Sequence, residues 1–201
     1  MKTDKGRAPV AGTSTTGAGS LGPGSVTLQL TVNGQRRTTV ADSSRTLLQV
    51  LREQFGLTGN KQVCDRATCG ACTVLRNGIR VYGCSVLAVD AQDDDIVTIE
   101  GLTPTGQLSP LQQAFADCDA MQCGYCTPGF IVSATAFLKE HQAPTRDDVR
   151  RGLAGNFCRC GSYEGIEQAV LAAGSPPVGP VRSVSAPRRR PAPKKRRKRA
   201  A

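Results

Sequence analysis

The chain has 201 residues, 39% of them hydrophobic and 4% aromatic, with a single histidine and no tryptophan. That leaves room for two small domains, and it excludes a self-contained enzyme built on a histidine relay or on a dinucleotide-binding sheet, since no G-x-G-x-x-G follows a strand-like run. The formal net charge of +10 arises wholly between Arg182 and Arg199, where ten Lys or Arg stand without an acid, while the remaining 16 basic residues balance 16 acidic ones. Residues 1–25 are rich in Gly, Ser and Thr and have no apolar core or twin arginine, so they are expected to be a disordered extension rather than an export signal. Val26, Leu28, Leu30 and Val32 then alternate with polar residues as a half-buried strand does. Asn33-Gly34 predicts a tight turn into a second strand over Gln35–Val40. Thr46 to Gln54 reads as a helix with Leu47, Leu48 and Leu51 on one face and Gly56 placed to stop it. A second hairpin pairs Thr73–Leu75 with Ile79–Tyr82 across Asn77-Gly78, and Ile96–Ile99 predicts a last short strand. Between them, Asp93-Asp94-Asp95 reads as a solvated turn rather than a metal site.

The pattern turns helical near Gly101. Ser109-Pro110 opens a helix through about Asp119, with proline at the first helical position. Gly129–Glu140 is a long apolar helical run, Thr145 with Asp148 is a helix-starting pair leading into Val149–Leu153, and Glu164–Ala172 predicts a fourth helix. The fold class is therefore α+β: a β-grasp, plant-type ferredoxin-like domain over 26–102, then a four-helix bundle over 103–174.

Eight of the nine cysteines fall into two quartets. Cys64, Cys69, Cys72 and Cys84 follow the C-x4-C-x2-C plus distant Cys pattern of plant-type [2Fe–2S] ligands. Cys123, Cys126, Cys158 and Cys160 form a C-x2-C answered downstream by a C-x-C. Four thiolates hold one [2Fe–2S] cluster, so eight predict two clusters, wired in series for electron transfer. Disulfides would leave an odd thiol over, and zinc knuckles would come as two matched short pairs, which neither quartet supplies. Small residues at Gly70-Ala71 let backbone N–H groups close on a charged cluster. Cys118, the ninth cysteine, reads as a packed or half-exposed free thiol, and His141 as an exposed residue at a helix end.

These residues are recognisable together. Over roughly Val26–Ala172 the chain resembles the small iron–sulfur subunit of the molybdenum hydroxylases, the xanthine dehydrogenase and aldehyde oxidoreductase family. The resemblance is carried by Cys69-Gly70-Ala71-Cys72-Thr73-Val74, by Gln122-Cys123-Gly124-Tyr125-Cys126-Thr127-Pro128-Gly129 and by Gly155-Asn156-Phe157-Cys158-Arg159-Cys160. It departs at Val63, at Asp65-Arg66-Ala67-Thr68 between the first two cysteines, where the family has a glycine, and at Gly161-Ser162-Tyr163. The resemblance implies a large partner subunit carrying a molybdenum–pterin cofactor and a medium subunit carrying FAD, as a heterotrimer or its dimer. It implies that electrons pass from molybdenum to the helical-domain cluster, then to the ferredoxin-like cluster, then to FAD or an external acceptor. It further implies that Gln122 and Cys160 lie against the pterin and that the Cys64–Cys72 loop faces the flavin side. The chain is expected to be cytoplasmic, without membrane attachment, and not catalytic alone. A stand-alone two-cluster ferredoxin is the alternative. A nucleic-acid-associated iron–sulfur protein is less favoured, because aromatic side chains for base stacking are few. The Pro-rich basic segment over 175–201 is expected to be a disordered tail with weak, nonspecific polyanion binding, although Lys194–Arg199 resembles a nuclear-import signal.

Overall fold

The structure, a computed structural model, describes residues 24–174; the expectations for the two terminal segments lie outside the described residues. The N-terminal half is built on a five-stranded mixed sheet of order β2-β1-β5-β3-β4. Its strands are β1 (Ser25–Val32), β2 (Gln35–Asp42), β3 (Thr73–Arg76), β4 (Ile79–Tyr82) and β5 (Asp95–Val97). β1 runs antiparallel to β2 and parallel to β5, and β3 is antiparallel to both β4 and β5. The alternation in β1 is realised, with Val26, Leu28, Leu30 and Val32 all buried. A one-residue slip would turn that row to solvent, so its burial sets the register.

Helix α1 differs from the expected single helix over Thr46–Gln54. Thr46 caps it through a reciprocal pair of hydrogen bonds with Gln49, but regular α-helix spans only Leu47–Gln49. Val50–Gln54 continue as a wider turn, closed by the Phe55 N–H donating to the Val50 carbonyl at 3.2 Å. From this turn the Arg52 guanidinium donates to the carbonyls of Thr58 (3.0 Å) and Asn60 (2.7 Å), fixing the approach to the first cysteine loop. Leu47, Val50 and Leu51 pack on the buried face of β1 together with Val74, Ala88 and Ile96.

The last strand is also shorter than the expected Ile96–Ile99. The Thr98 N–H donates to the Asn33 side-chain oxygen at 2.9 Å instead of extending the ladder, and Ile99–Gly101 close into a 3-10 turn. The acidic run is more than a solvated turn. Asn77 (2.6 Å) and Arg76 (2.5 Å) bind the Asp94 carboxylate and hold it below the usual carboxylate range, while Asp93 stays largely exposed beside Arg36.

The second half contains α2 (Pro110–Asp117), α3 (Thr127–Glu140), α4 (Arg146–Gly152) and α5 (Tyr163–Gly174). Ser109 with Gln112 and Thr145 with Asp148 form capping boxes at the starts of α2 and α4. Phe115, Phe130 and Phe137 are buried at the centre of the helical core with Val149, Ile166 and Val170. Cys118 ends α2, half-buried against this core, and burial with the neighbouring Asp117 pushes its thiol up. His141 ends α3, exposed and edge-on to Phe137 with ring centroids 4.6 Å apart.

α3 is apolar all round because it is covered on both sides. Phe130, Ala134 and Phe137 face the helical core, whereas Val132 and Ala136, one turn apart, pack on Leu75 of β3 with Val97, Ile99 and Leu102 around them. Arg80 and Tyr82 of the edge strand β4 reach across the same seam, donating to the carbonyls of Gly152 (2.6 Å) and Gly155 (2.9 Å). No helix among the described residues is long and apolar enough to cross a membrane.

Candidate metal centres

The first quartet is gathered by the sheet. Cys72 immediately precedes β3 and Cys84 lies in the short turn after β4, so the antiparallel β3–β4 pairing, Thr73 opposite Tyr82, brings these two buried thiols together. They pack beneath Leu48 of α1. Cys64 and Cys69 lie in the loop from Lys61 to Cys72, partly exposed. Within that loop the Ala67 N–H points at the Cys84 sulfur (3.3 Å) and the Thr68 N–H at the Cys64 sulfur (3.4 Å). Burial pushes the Cys64 thiol up, but the backbone N–H groups of Arg66, Thr68 and Cys69 outweigh it and bring it down to about 6. At Cys72 burial dominates, and with Cys84 alongside the thiol is pushed up to about 12.

This loop turns without the glycine that the family pattern has between its first two cysteines. Asp65 (φ 54°) and Ala67 (φ 55°) adopt the left-handed conformation instead. An alanine there carries a penalty of about 1–2 kcal/mol, partly offset by the lower chain entropy of Ala compared with Gly in the unfolded state. Ala67→Gly is therefore expected to stabilise the cluster-loaded protein by up to about 1 kcal/mol, read as a higher thermal midpoint with unchanged iron content. A lower midpoint would show that the loop is not strained at this position.

The second quartet is gathered at helix ends. Cys126 is the residue before α3, and Cys158 and Cys160 lie in the turn before α5. Both helices thus direct their N-terminal turns, where unpaired N–H groups and the helix dipole favour negative charge, toward the same cysteines. Burial and the adjacent Cys158 push the Cys126 thiol up to about 12. The N–H of Tyr125 and the Cys160 thiol pull Cys123 down, and burial at Cys158 is outweighed by N–H groups from Ser162, Cys160 and Gly161. The Cys158 N–H itself donates to the Tyr163 hydroxyl at 2.9 Å.

The donor set is all thiol. The thiols act on one another within their own quartets: Cys69 lowers Cys64, Cys84 raises Cys72, Cys160 lowers Cys123 and Cys158 raises Cys126. Four thiols to a site, with backbone N–H groups turned toward their sulfurs, would suit a [2Fe–2S] cluster, which takes four thiolates. Cys64, Cys69, Cys72 and Cys84 thus lie in and beside the loop before β3, Cys123, Cys126, Cys158 and Cys160 lie before the starts of α3 and α5, and Cys118 stands apart at the end of α2.

The two sites adjoin. An apolar hollow of about 350 Å³ opens between them, walled by Val63, Cys69, Cys123, Tyr125, Phe157 and Arg159. Beside it the Phe157 N–H donates to the Cys69 carbonyl at 2.9 Å, one hydrogen bond between a first-quartet cysteine and the neighbour of Cys158. Gln122 is exposed next to exposed Cys123, whose partner is Cys160, so Gln122 and the Cys123/Cys160 pair share the outer side of the helical site. Sequence reasoning did not single out Asn156, Tyr163 or the bridging Phe157 N–H. The string Gly-Asn-Phe-Cys-Arg-Cys was visible, but the contacts of Asn156 and Phe157 span more than eighty residues and leave no local signal, while Tyr163 returns to Cys158 from the first turn of α5.

Comparison with known proteins agrees with this geometry. Residues 30–96 match the 2Fe-2S iron-sulfur cluster binding domain and residues 98–171 the [2Fe-2S] binding domain. The chain is 44% identical over 145 residues to the nicotinate dehydrogenase small FeS subunit of Eubacterium barkeri, covering 72% of this chain and 92% of that one. It is 45% identical over 148 residues to the xanthine dehydrogenase iron-sulfur-binding subunit of Escherichia coli O157:H7, covering 73% and 92% respectively. Among solved structures it is similar to quinoline 2-oxidoreductase from Pseudomonas putida 86, with a TM-score of 0.73 and 39% identity over 75% of this chain and 94% of that one. With two cluster-binding domains in this order and such identity across nearly the whole length of these subunits, the chain belongs to the small iron–sulfur subunits of the molybdenum hydroxylases, the xanthine dehydrogenase and aldehyde oxidoreductase family.

Proposed function

We propose that electrons cross this chain from a molybdenum–pterin centre on a large partner subunit to FAD on a medium subunit, entering at the helical-domain cluster and leaving from the ferredoxin-like one. The chain is the electron-transfer component of a molybdenum-dependent oxidoreductase complex, with partner subunits and no catalysis of its own. The observation that carries the proposed route is the Phe157–Cys69 hydrogen bond joining the two cysteine groups. When bound, the clusters supply one-electron carriers; the protein supplies spacing, burial and hydrogen bonds that set their potentials.

In this reading Cys64, Cys69, Cys72 and Cys84 ligate the first cluster, within a domain over 26–102, and Cys123, Cys126, Cys158 and Cys160 the second, within a domain over 103–174. N–H groups of Ala67 and Thr68 face the first site's sulfurs and would stabilise its reduced, more negative state. Exposed Gln122 with Cys160 would meet the pterin, because they share the outer edge of the helical site; the exposed stretch Asp65–Thr68 would face the flavin subunit. We assign the complex to the cytoplasm. The stand-alone ferredoxin alternative is not favoured, since the relatives matched over nearly their full length are subunits by name.

Affinity purification of the full chain from its native cells tests this assembly. Two larger subunits, one with molybdenum and one with FAD, are expected to co-purify; the chain recovered alone and redox-active would overturn the reading. Truncation after Gly174 is expected to leave assembly and turnover intact while abolishing weak heparin binding that falls steeply with salt. Loss of assembly on truncation would make the basic segment a docking arm.

A further inference from the structure

Asn156 lies where the two cysteine groups meet and is 7% exposed. Its amide nitrogen donates to the Gly70 carbonyl (2.9 Å), and its amide oxygen accepts from the Ser133 hydroxyl of α3 (2.7 Å). The Gly70 carbonyl also accepts from the Thr73 N–H (3.1 Å) and hydroxyl (2.6 Å), so its direction is set from both halves of the molecule. One peptide earlier the Cys69 carbonyl accepts from the Phe157 N–H, one peptide after Asn156. The amide therefore locks a two-rung ladder: Gly70 to the side chain of residue 156, and Cys69 to the backbone of residue 157. Space is as tight as the bonding. A Cβ on Gly70 would stand 2.5 Å from the Gly155 carbonyl and 2.6 Å from the Asn156 amide nitrogen, so the strands of this ladder approach as closely as backbone can.

We propose that Asn156 is a positioning residue for electron transfer between the two clusters, holding the Cys69–Phe157 hydrogen bond at bonding distance through its clamp on Gly70. This rests on the cluster reading above. Among the described residues no other side chain of the helical half hydrogen-bonds to residues 69–70; Arg80 and Tyr82 of the sheet bind the carbonyls of Gly152 and Gly155. Without the amide, Gly70 keeps its contacts to Thr73 and its close approach to Gly129, but the Phe157–Cys69 bond is left unsupported and lengthens. A tunnelling path then has to cross a van der Waals gap in place of a hydrogen bond. Ser133 acts one step further back, by orienting the amide.

The test uses the full reconstituted chain, with electron exchange between clusters followed after sub-stoichiometric flash photoreduction, and the magnetic interaction of the fully reduced clusters read by electron paramagnetic resonance. Asn156→Ala is expected to keep about four irons and both cluster signals. Exchange should slow on the order of tenfold, the scale on which misplacement by a fraction of an ångström to one ångström acts, and the magnetic splitting should blur. Ser133→Ala should slow exchange less, and the double variant no more than Asn156→Ala alone, since the hydroxyl works through the amide. Arg80→Ala, which removes a seam hydrogen bond to Gly152, four residues before Asn156, should leave exchange unchanged. Wild-type exchange in Asn156→Ala, or equal slowing in Arg80→Ala, would overturn the assignment while leaving the clusters themselves established. If Asn156→Ala loses a cluster, Ser133→Ala decides: slowed exchange supports the role and unchanged exchange refutes it. A wild-type chain without two cluster signals would sink the underlying reading and this role with it.

Discussion

Cys69→Ser is expected to halve the iron of the reconstituted chain, from about four to about two, removing the ferredoxin-like signal and sparing the helical one. Cys126→Ser is expected to do the reverse. Each group closes on itself: the thiols that shift Cys64 and Cys72 all belong to the first quartet, and those that shift Cys123 and Cys126 all to the second. The hydrogen bond between them, from the Phe157 N–H, uses the Cys69 carbonyl, which serine retains. Iron analysis and the two paramagnetic signals of the reduced protein read the result directly. Loss of both signals from either substitution would show that the halves assemble as one unit. Stoichiometric zinc and no visible absorption in the wild type would remove the cluster reading altogether. In the assembled enzyme, Cys69→Ser should still let substrate reduce the molybdenum side while flavin reduction fails.

Gly129→Ala is expected to lower stability by about 3 kcal/mol, the upper range for forcing atoms into a packed core, and the thermal midpoint by roughly 10 °C. Helix propensity alone argues the opposite sign, because Gly to Ala inside a helix is worth up to about 1 kcal/mol in favour of Ala. The contacts decide between them. A Cβ at Gly129 would lie 2.3 Å from the Gly70 carbonyl oxygen and 3.1 Å from the Ala71 Cα, both backbone atoms that cannot rotate aside. α3 must sit this close for Val132 and Ala136 to reach Leu75. Gly106→Ala is the control: its φ is +83° with nothing within 4 Å, so it should cost only the left-handed penalty of about 1–2 kcal/mol. Equal effects at both positions, or stabilisation at Gly129, would show that the seam yields.

Much of the architecture is legible locally because local physics governs it. The period-two row in β1 and the Asn-Gly turns at 33–34 and 77–78 are decided within a few residues, and both turn asparagines take the left-handed conformation that such turns need. The starts of α2 and α4 follow from capping pairs whose partners are three residues apart. Elements went astray where a distant group competed. β5 stops at Val97 because the Asn33 side chain, far upstream, takes the Thr98 N–H. α1 widens after Gln49, and its Arg52 is used to hold Thr58 and Asn60. Asp94 is pinned rather than solvated because Arg76 and Asn77 of another hairpin reach it.

The same division holds for function. The cysteine spacings by themselves determined which cofactor suits the chain, and they predict two four-thiolate groups, one in each half, because ligand spacing is a property of a short loop meeting a small rigid cluster. The sequence also determined that α3 is apolar, but not that it is shared between two cores. Only the tertiary structure decided that Gly70 meets Gly129 and Asn156, and that the Phe157 N–H bonds to the Cys69 carbonyl. Those contacts join residues more than fifty positions apart, and each depends on two surfaces packing against one another at near-solid density, where a single Cβ is too much.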